Sequence, residues 1–335
     1  MTRPSAVTII GAGNWGTTLA VLLSGKGLGV CLHSVFKDHN SALQNERQNK
    51  LFLKGVKFPS RLKIEPSLKD ALGSEIIVIA VPVRFINKVL KKIKSSRINL
   101  SNKIFVSVSK GIEVKSLKRV SELIRLELGN VKIAVLSGPN IAWEVVKEIP
   151  TASVIASANN KVAEKLQVLF STSSFRVYKH RDIVGIELAG ALKNIIAIAC
   201  GISDGLGFGS NTKAALVTRG LVEITRLGKV LGAETSTFSG LSGLGDVVTT
   251  CFSPHSRNRT LGEKIGNGKR LKAILKEMKE VAEGIETVKS AYCLSRKFAI
   301  DMPITEQVYA VLYRNKSPKR AVCDLMGRPL KLEKS

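Results

Sequence analysis

A glycine-rich turn close to the start of the chain constrains what this sequence can fold into more than any other feature. Gly11-Ala12-Gly13-Asn14-Trp15-Gly16 matches G-x-G-x-x-G. A short β-branched run, Val7–Ile10, leads into it and a helical stretch over Asn14–Ser24 leaves it, which is the context the pattern needs. Each glycine meets a separate steric demand. Gly11 permits the tight turn, Gly13 lets the backbone approach a pyrophosphate, and Gly16 lets the helix lie close to the strand. The helix N-terminus adds free N–H groups and partial positive charge for an anion. A glycine turn without any ligand is the plainer reading, and the strand–turn–helix context weighs against it.

The rest of the first half alternates strand and helix. Leu28–Leu32 is a second strand. Glu75–Val81 is a continuous apolar run of strand length, as a strand buried on both faces should be. Pro82 ends it, and a helix with apolar Phe85, Val89 and Ile93 follows. Lys103–Val108 is a strand, Leu117–Leu128 a helix, and Lys132–Leu136 and Thr151–Ala156 are further strands. Such alternation predicts a doubly wound, Rossmann-type parallel sheet. Beyond about Arg181 the strand signal stops. Ile183–Ile202, Thr212–Leu231, Arg257–Ile265, Leu271–Met278, Ile285–Phe298, Ile304–Arg314 and Pro318–Met326 read as helices, punctuated by Gly232, Gly266, Gly268, Pro303 and Pro318. The expected fold class is therefore α/β plus all-α: a nucleotide-binding domain over 1–181 and a helical substrate domain over 182–335. A chain of 335 residues suits two domains.

Composition excludes several classes. The apolar runs Ile76–Val83 and Ala189–Ile202 fall short of the roughly 18 residues of a membrane span, the second being interrupted by Lys193 and Asn194. The N-terminus enters an apolar strand directly, which reads as domain structure rather than a signal peptide, so a cytoplasmic protein is expected. Cys31, Cys200, Cys251, Cys293 and Cys323 form no C-x-x-C pair and sit in apolar neighbourhoods, so buried free thiols are expected. His33, His39, His180 and His255 show no ligand spacing, and no metal is expected. Lys and Arg total 52 against 26 Asp and Glu, a net charge of +26. The basic residues scatter along helices without aromatic interleaving, so a Lys-rich bias or anionic small-molecule ligands explain them better than nucleic acid.

The kind of dinucleotide rests on the end of the second strand. An acidic residue about 20 positions beyond the glycine motif would hold the ribose hydroxyls of NAD. Here the stretch is His33-Ser34-Val35-Phe36-Lys37-Asp38: the strand end has no acid and Asp38 comes late. His33, Ser34 and Lys37 could meet a 2′-phosphate instead, so NADPH is expected to serve at least as well as NADH.

Further segments follow in order: VSKGIE around Lys110, LSGPNIAWE around Gly138, ELAGALKNIIAI around Lys193, GLGDVVTTC around Asp246, SRNRTLG around Arg257 and VAEGIETVK around Glu283. With GAGNWGTTLA at the start, this series resembles the NAD(P)-dependent glycerol-3-phosphate dehydrogenases of the bacterial type, over nearly the whole chain. Lys193 interrupts an otherwise apolar helix face. A lysine whose stem alone is buried would explain that equally well, were Asn194 and the downstream polar motifs absent. Burial beside a second cation would lower its pKa and let it pass a proton.

The resemblance implies that Lys193 is the acid toward the carbonyl oxygen of dihydroxyacetone phosphate, with Lys110, Asn194 and Asp246 beside it. It implies substrate contacts at Lys110, Gly138, Asn140, Lys193, Asp246, Ser256, Arg257 and Asn258, the last three as a phosphate grip. Cofactor contacts fall on Gly11, Gly13, Asn14, Trp15, Gly16, Val35, Lys110, Ala142, Arg257, Val281 and Glu283. A homodimer and a supply of glycerophospholipid precursor are likewise implied. His33 and Val35 depart from the family pattern, replacing a tryptophan and a basic residue near the adenine end, as does Asn140, which stands where Ser or Thr is usual. The alternatives are a sister dehydrogenase acting on 3-hydroxy acids, acyl-CoA thioesters or 6-phosphogluconate, a cofactor binder without turnover, and a nucleic-acid binder.

Overall fold

Short apolar runs build the centre of the first of two units, which comprises Met1–Ser109 and Arg119–Ile183. The computed structural model describes residues 6–278, 282–330 and 332–333. The strands of this unit are β1 (Val7–Ile10), β2 (Val30–His33), β3 (Gln48–Asn49), β4 (Leu53–Lys57), β5 (Leu62–Ile64), β6 (Ile76–Ile79), β7 (Ile104–Ser107), β8 (Lys132–Ser137), β9 (Thr151–Ala156) and β10 (Phe175–His180). Eight of them form one sheet in the order β10-β9-β8-β7-β6-β1-β2-β5, while β3 and β4 make a separate antiparallel pair. Alternate residues of β1 and β6 feed different cores. Val7, Ile9, Ile76 and Val78 join one apolar cluster, and Ile10, Ile77 and Ile79 join the other. Both faces are therefore covered, which is why the sequence runs apolar without alternation.

The sheet is parallel except between β8 and β9, where Val135 lies opposite Ala156 and Ser137 opposite Val154 in antiparallel register. This corrects the wholly parallel expectation. The link between them holds only the short helix Ala142–Val146, so the chain turns back beside β8 instead of crossing over. β10 gave no clear sequence signal because only Phe175 and Val177 face inward along an otherwise polar edge strand. Strand order reverses beside β1, whose neighbours are β2 and β6, and this is the switch point where open α/β sheets bind ligands.

The second unit comprises Lys110–Lys118 and Val184–Ser335. The segment Lys110–Lys118 thus groups with the helices and not with the strand it follows; Ile112 is buried in the helical core, and Ser290 Oγ donates to its carbonyl at 3.0 Å. The central helix, Ile183–Gly205, is buried on nearly all sides. At 23 residues it is long and apolar enough to cross a membrane, contrary to the count of apolar runs, but 89% of its most apolar window is buried inside the protein. A helix apolar all round that packs within its own chain is a core helix. It crosses the helix Arg257–Gly266 backbone to backbone: a Cβ on Gly201 would lie 2.0 Å from the Arg259 carbonyl oxygen. The helices Ser210–Val230, Leu271–Glu277, Gly284–Lys297, Pro303–Tyr313 and Pro318–Met326 complete the unit, close to their expected bounds. Leu241–Gly245 is a π-helical turn that runs into the helix Asp246–Phe252. Among the cysteines, Cys31, Cys200 and Cys251 are buried as expected, whereas Cys293 and Cys323 are exposed.

Candidate active site

In the first unit the glycine turn follows β1 directly. Gly11 has φ 113°, and a Cβ there would lie 2.4 Å from the Ala80 carbonyl oxygen, so only glycine fits. A Cβ on Gly16 would strike the turn itself, 1.9 Å from the Gly11 carbonyl oxygen. A Cβ on Gly13 would touch nothing within 4 Å, which leaves open space where the pyrophosphate approach was expected. The helix Asn14–Gly25 starts there without a side-chain cap, and Asn14 Oδ1 is buried with no hydrogen-bond partner among the described residues. An uncapped helix start, an open glycine and an orphaned buried acceptor fit a dinucleotide with its pyrophosphate over the turn and a donor near Asn14. Trp15 is half-buried, its ring tilted against Phe175 with centroids 6.3 Å apart.

The turn is braced by a residue that sequence reasoning missed. Asn49 Nδ2 donates to the Ala12 carbonyl at 2.9 Å and to Thr17 Oγ1 at 2.8 Å. Asn49 Oδ1 accepts from the Phe52 N–H and lies 3.3 Å from His39 Nε2, whose Nδ1 is 3.0 Å from Ser34 Oγ. No local pattern signals this link, because it joins residues distant in sequence. It also changes the reading of the cofactor-choice stretch. Ser34 Oγ serves His39 and the Phe36 N–H. His33 is buried, donates from Nδ1 to the Glu65 carbonyl at 2.7 Å, and has its pKa lowered by desolvation. His33 Nδ1 and Ser34 Oγ are thus already engaged within the chain. Lys37 is exposed at the start of the helix Lys37–Glu46. Val35 is half-buried against the cluster containing Ile79 and Val81.

Past β8, Gly138 is buried, and a Cβ there would press on Ser153 of β9 at 3.0 Å. The neighbouring strand leaves no room for a side chain at that position. Asn140 Oδ1 accepts from Ser153 Oγ at 3.2 Å, while Asn140 Nδ2 is buried without a partner among the described residues. Such a buried donor is one that a ligand acceptor would satisfy. Ala142 opens the short helix that follows.

In the second unit one carboxylate gathers two lysines. Asp246, in the first turn of its helix and 1% exposed, accepts from Lys110 Nζ on Oδ2 at 2.5 Å and from Lys193 Nζ on Oδ1. Lys193 also donates to Thr250 Oγ1 at 2.5 Å, and Thr250 donates on to Asp246 Oδ1 at 3.3 Å. Thr250 lies within GLGDVVTTC, where sequence reasoning picked out Asp246 alone; its signal is the four-residue spacing from Asp246 on one helix face. Lys193 comes from the buried central helix, so its ammonium is desolvated. Burial, joined by the Lys110 charge, outweighs the pull of Asp246 and lowers its pKa to about 8. An ammonium with a near-neutral pKa and a fixed direction is a proton donor.

Around this centre, Asn194 Oδ1 accepts from Asn258 Nδ2 at 2.9 Å, and Asn258 Oδ1 accepts from the Gly284 N–H at 3.1 Å. Asn258 thus ties three helices together in addition to any ligand contact. Ser256 caps the helix Arg257–Gly266 by accepting from the Arg259 N–H at 3.2 Å, which leaves its own O–H to donate. Arg257 is exposed at that helix start. Glu283 is half-buried, and desolvation pushes its carboxyl up to about 7 despite the opposing charges of Arg257, Lys110 and Lys193. Those charges bring Glu283, Arg257 and both lysines into one electrostatic neighbourhood. Val281 lies outside the described residues. Among the described residues no group of His, Cys, Asp and Glu could hold a metal ion.

A dinucleotide turn on an α/β unit, with a tuned lysine–carboxylate centre on a helical one, defines a nicotinamide-dependent dehydrogenase as the class. Comparison with known proteins agrees. Residues 6–163 match the NAD-dependent glycerol-3-phosphate dehydrogenase N-terminus, and residues 182–323 match its C-terminus. Glycerol-3-phosphate dehydrogenase [NAD(P)+] of Pelodictyon phaeoclathratiforme is 48% identical over 332 residues, covering 98% of this chain and 99% of the relative. The protein of that name from Citrifermentans bemidjiense is 48% identical over 331 residues, 98% of each chain. The crystal structure of glycerol-3-phosphate dehydrogenase from Coxiella burnetii superposes with a TM-score of 0.93 at 40% identity, over 97% of this chain and 99% of that one. The chain belongs to the NAD-dependent glycerol-3-phosphate dehydrogenase family.

Proposed function

We propose that Lys193, held by Asp246 and Thr250 and flanked by Lys110, is the proton donor with which this chain reduces dihydroxyacetone phosphate to sn-glycerol 3-phosphate. The reaction and its use of NADH or NADPH follow from the family. The observation that carries the residue assignment is the pair of lysines on one buried carboxylate, with the Lys193 pKa lowered to about 8. When bound, the nicotinamide supplies the hydride to the carbonyl carbon. Two of the three Lys193 N–H donors are used by Asp246 and Thr250, which leaves one for the carbonyl oxygen. That oxygen takes the Lys193 proton as it becomes a hydroxyl. Lys110 adds positive charge where the oxyanion develops, and Asp246 fixes both ammonium groups in place. In the reverse direction neutral Lys193 accepts the C2 hydroxyl proton.

Ser256, Arg257 and Asn258 form the phosphate grip: a planar guanidinium and two polar side chains at a helix start. Asn140 Nδ2 and Gly138 belong to the substrate side in the same reading. Gly11, Gly13, Asn14, Trp15, Gly16, Val35, Ala142, Val281 and Glu283 serve the cofactor, with Lys110 and Arg257 reaching both ligands. NADPH serves at least as well as NADH, because the end of β2 carries no carboxylate and Lys37 stands just beyond it. The protein works in the cytoplasm as a homodimer and supplies glycerophospholipid synthesis.

Product analysis tests this reading. The purified chain, given dihydroxyacetone phosphate with either nicotinamide, should form sn-glycerol 3-phosphate and no other enantiomer. Turnover of 3-hydroxy acids or 6-phosphogluconate in its place would transfer the chain to a sister activity, and a strong preference for NADH would overturn the cofactor reading.

A further inference from the structure

The helical unit holds a cavity of about 420 Å³ that no residue of the proposed reaction lines. Its volume falls within the range of small-molecule sites, roughly 300–1,000 Å³. One wall is the end of the central helix, with Ile202 and Ser203; another is the helix Ser210–Val230, with Leu216 and Arg219. Val308 and Leu325, from the helices Pro303–Tyr313 and Pro318–Met326, close it.

Three observations say what it takes. The lining is chiefly aliphatic, so its interior suits an alkyl chain. Ser203 is 3% exposed, and its Oγ makes no hydrogen bond among the described residues. An unpartnered buried hydroxyl in a cavity wall is a group that a ligand oxygen would satisfy. The charge in the wall is also cationic in effect. Glu223 has both carboxylate oxygens turned to the start of the helix Pro303–Tyr313, accepting from the Ile304 N–H at 2.6 Å and from the Thr305 N–H at 3.1 Å. Asp301 takes up Arg328 at 2.9 Å and Arg226 at 4.0 Å. Among the described residues, Arg219 meets only the exposed Glu333, at 3.7 Å. A guanidinium so loosely held can turn to a bound oxyanion.

We propose that this cavity binds a single-chain amphiphile, its alkyl chain among Ile202, Leu216, Val308 and Leu325 and its terminal oxyanion on Arg219. A carboxylate and a phosphate share that chemistry, and the experiment separates them.

Calorimetric titration of the full chain would use dodecanoate, dodecyl phosphate and dodecanol, each below its micellar concentration, with acetate and inorganic phosphate as chainless controls. Ala215 lines the cavity yet is exposed, so Ala215→Trp obstructs it without disturbing the core. One molecule per chain of at least one anion should bind, dodecanol at least tenfold more weakly, and the controls not at all. The tighter anion identifies the head group. Ala215→Trp should weaken binding of that anion at least tenfold; Arg219→Gln should weaken it about tenfold and leave dodecanol unchanged. Binding that ignores Ala215→Trp in a folded sample, or no saturable binding to the wild type, would overturn the proposal. So would sedimentation showing that Ala215→Trp alone splits a dimer, because a second copy of the chain would then cover the cavity.

Discussion

At the scale of single residues, the account turns on the protonation of Lys193. Its pKa of about 8 arises chiefly from burial, with Asp246 pulling upward and Lys110 pushing downward. Reduction uses the protonated form, so kcat for reduction should hold below this pKa and fall as pH rises through about 8. Oxidation of sn-glycerol 3-phosphate needs neutral Lys193 and should show the opposite limb. Asp246→Asn removes the group that raises the pKa, so the falling limb of any residual reduction should move to lower pH. A limb that stays in place in Asp246→Asn would mean that another group titrates. Thr250→Val keeps the shape and removes one hydrogen bond to Lys193. A loss in kcat of about tenfold, with little change in KM, is expected for a group that only positions the donor.

Elements, in turn, hold these residues where they are. Glu223 of the helix Ser210–Val230 caps the start of the helix Pro303–Tyr313, meeting two N–H groups that have no helical partner. Glu223→Ala should cost about 2 kcal/mol in unfolding free energy by denaturant titration. In the first unit Lys26 Nζ donates to the carbonyls of Val168, Leu169 and Ser171, at the end of the helix Asn160–Phe170. Lys26→Met keeps the stem and loses the charge at that negative helix end, and should cost about 1 kcal/mol. An unchanged denaturation midpoint in either variant would show that water replaces the bond without loss. Such long-range locks are invisible to a reading by local pattern. Periodicity located seven helices of the second unit because each carries its own apolar face or runs apolar throughout, but it missed the short helix Asp246–Phe252. It passed over β10, where two inward residues are too few to signal a strand, and over the π-helical turn before Asp246, which glycines disguised as a loop.

On the scale of the whole molecule, the sequence disclosed the fold class, the glycine turn and the lysine–carboxylate centre, because each carries a pattern tied to its chemistry. For His33 and Ser34 it did not disclose the partners Glu65 and His39, which engage one side-chain atom of each. The grouping of Lys110–Lys118 with the helical unit was likewise unreadable, since it depends on which core accepts Ile112. The net charge of +26 is a property of the whole chain that no single site explains. Self-repulsion on that scale should be screened by salt, so the melting temperature should rise by a few degrees from low to physiological ionic strength. KM for the phosphorylated substrate should rise over the same interval, because the field that attracts an anion is screened as well.

The most direct test of the central claim is the rate of NADPH oxidation with dihydroxyacetone phosphate by Lys193→Ala, measured beside the affinity of the same variant for NADPH. Lys193 lies in the helical unit, away from the glycine turn in the sequence, so cofactor affinity should stay near that of the wild type. The rate should fall by about 10²–10⁴-fold, the usual share of a positioned proton donor. A variant that binds NADPH normally and keeps more than a tenth of the wild-type rate would contradict the account, for Lys193 would then not be the group that delivers the proton.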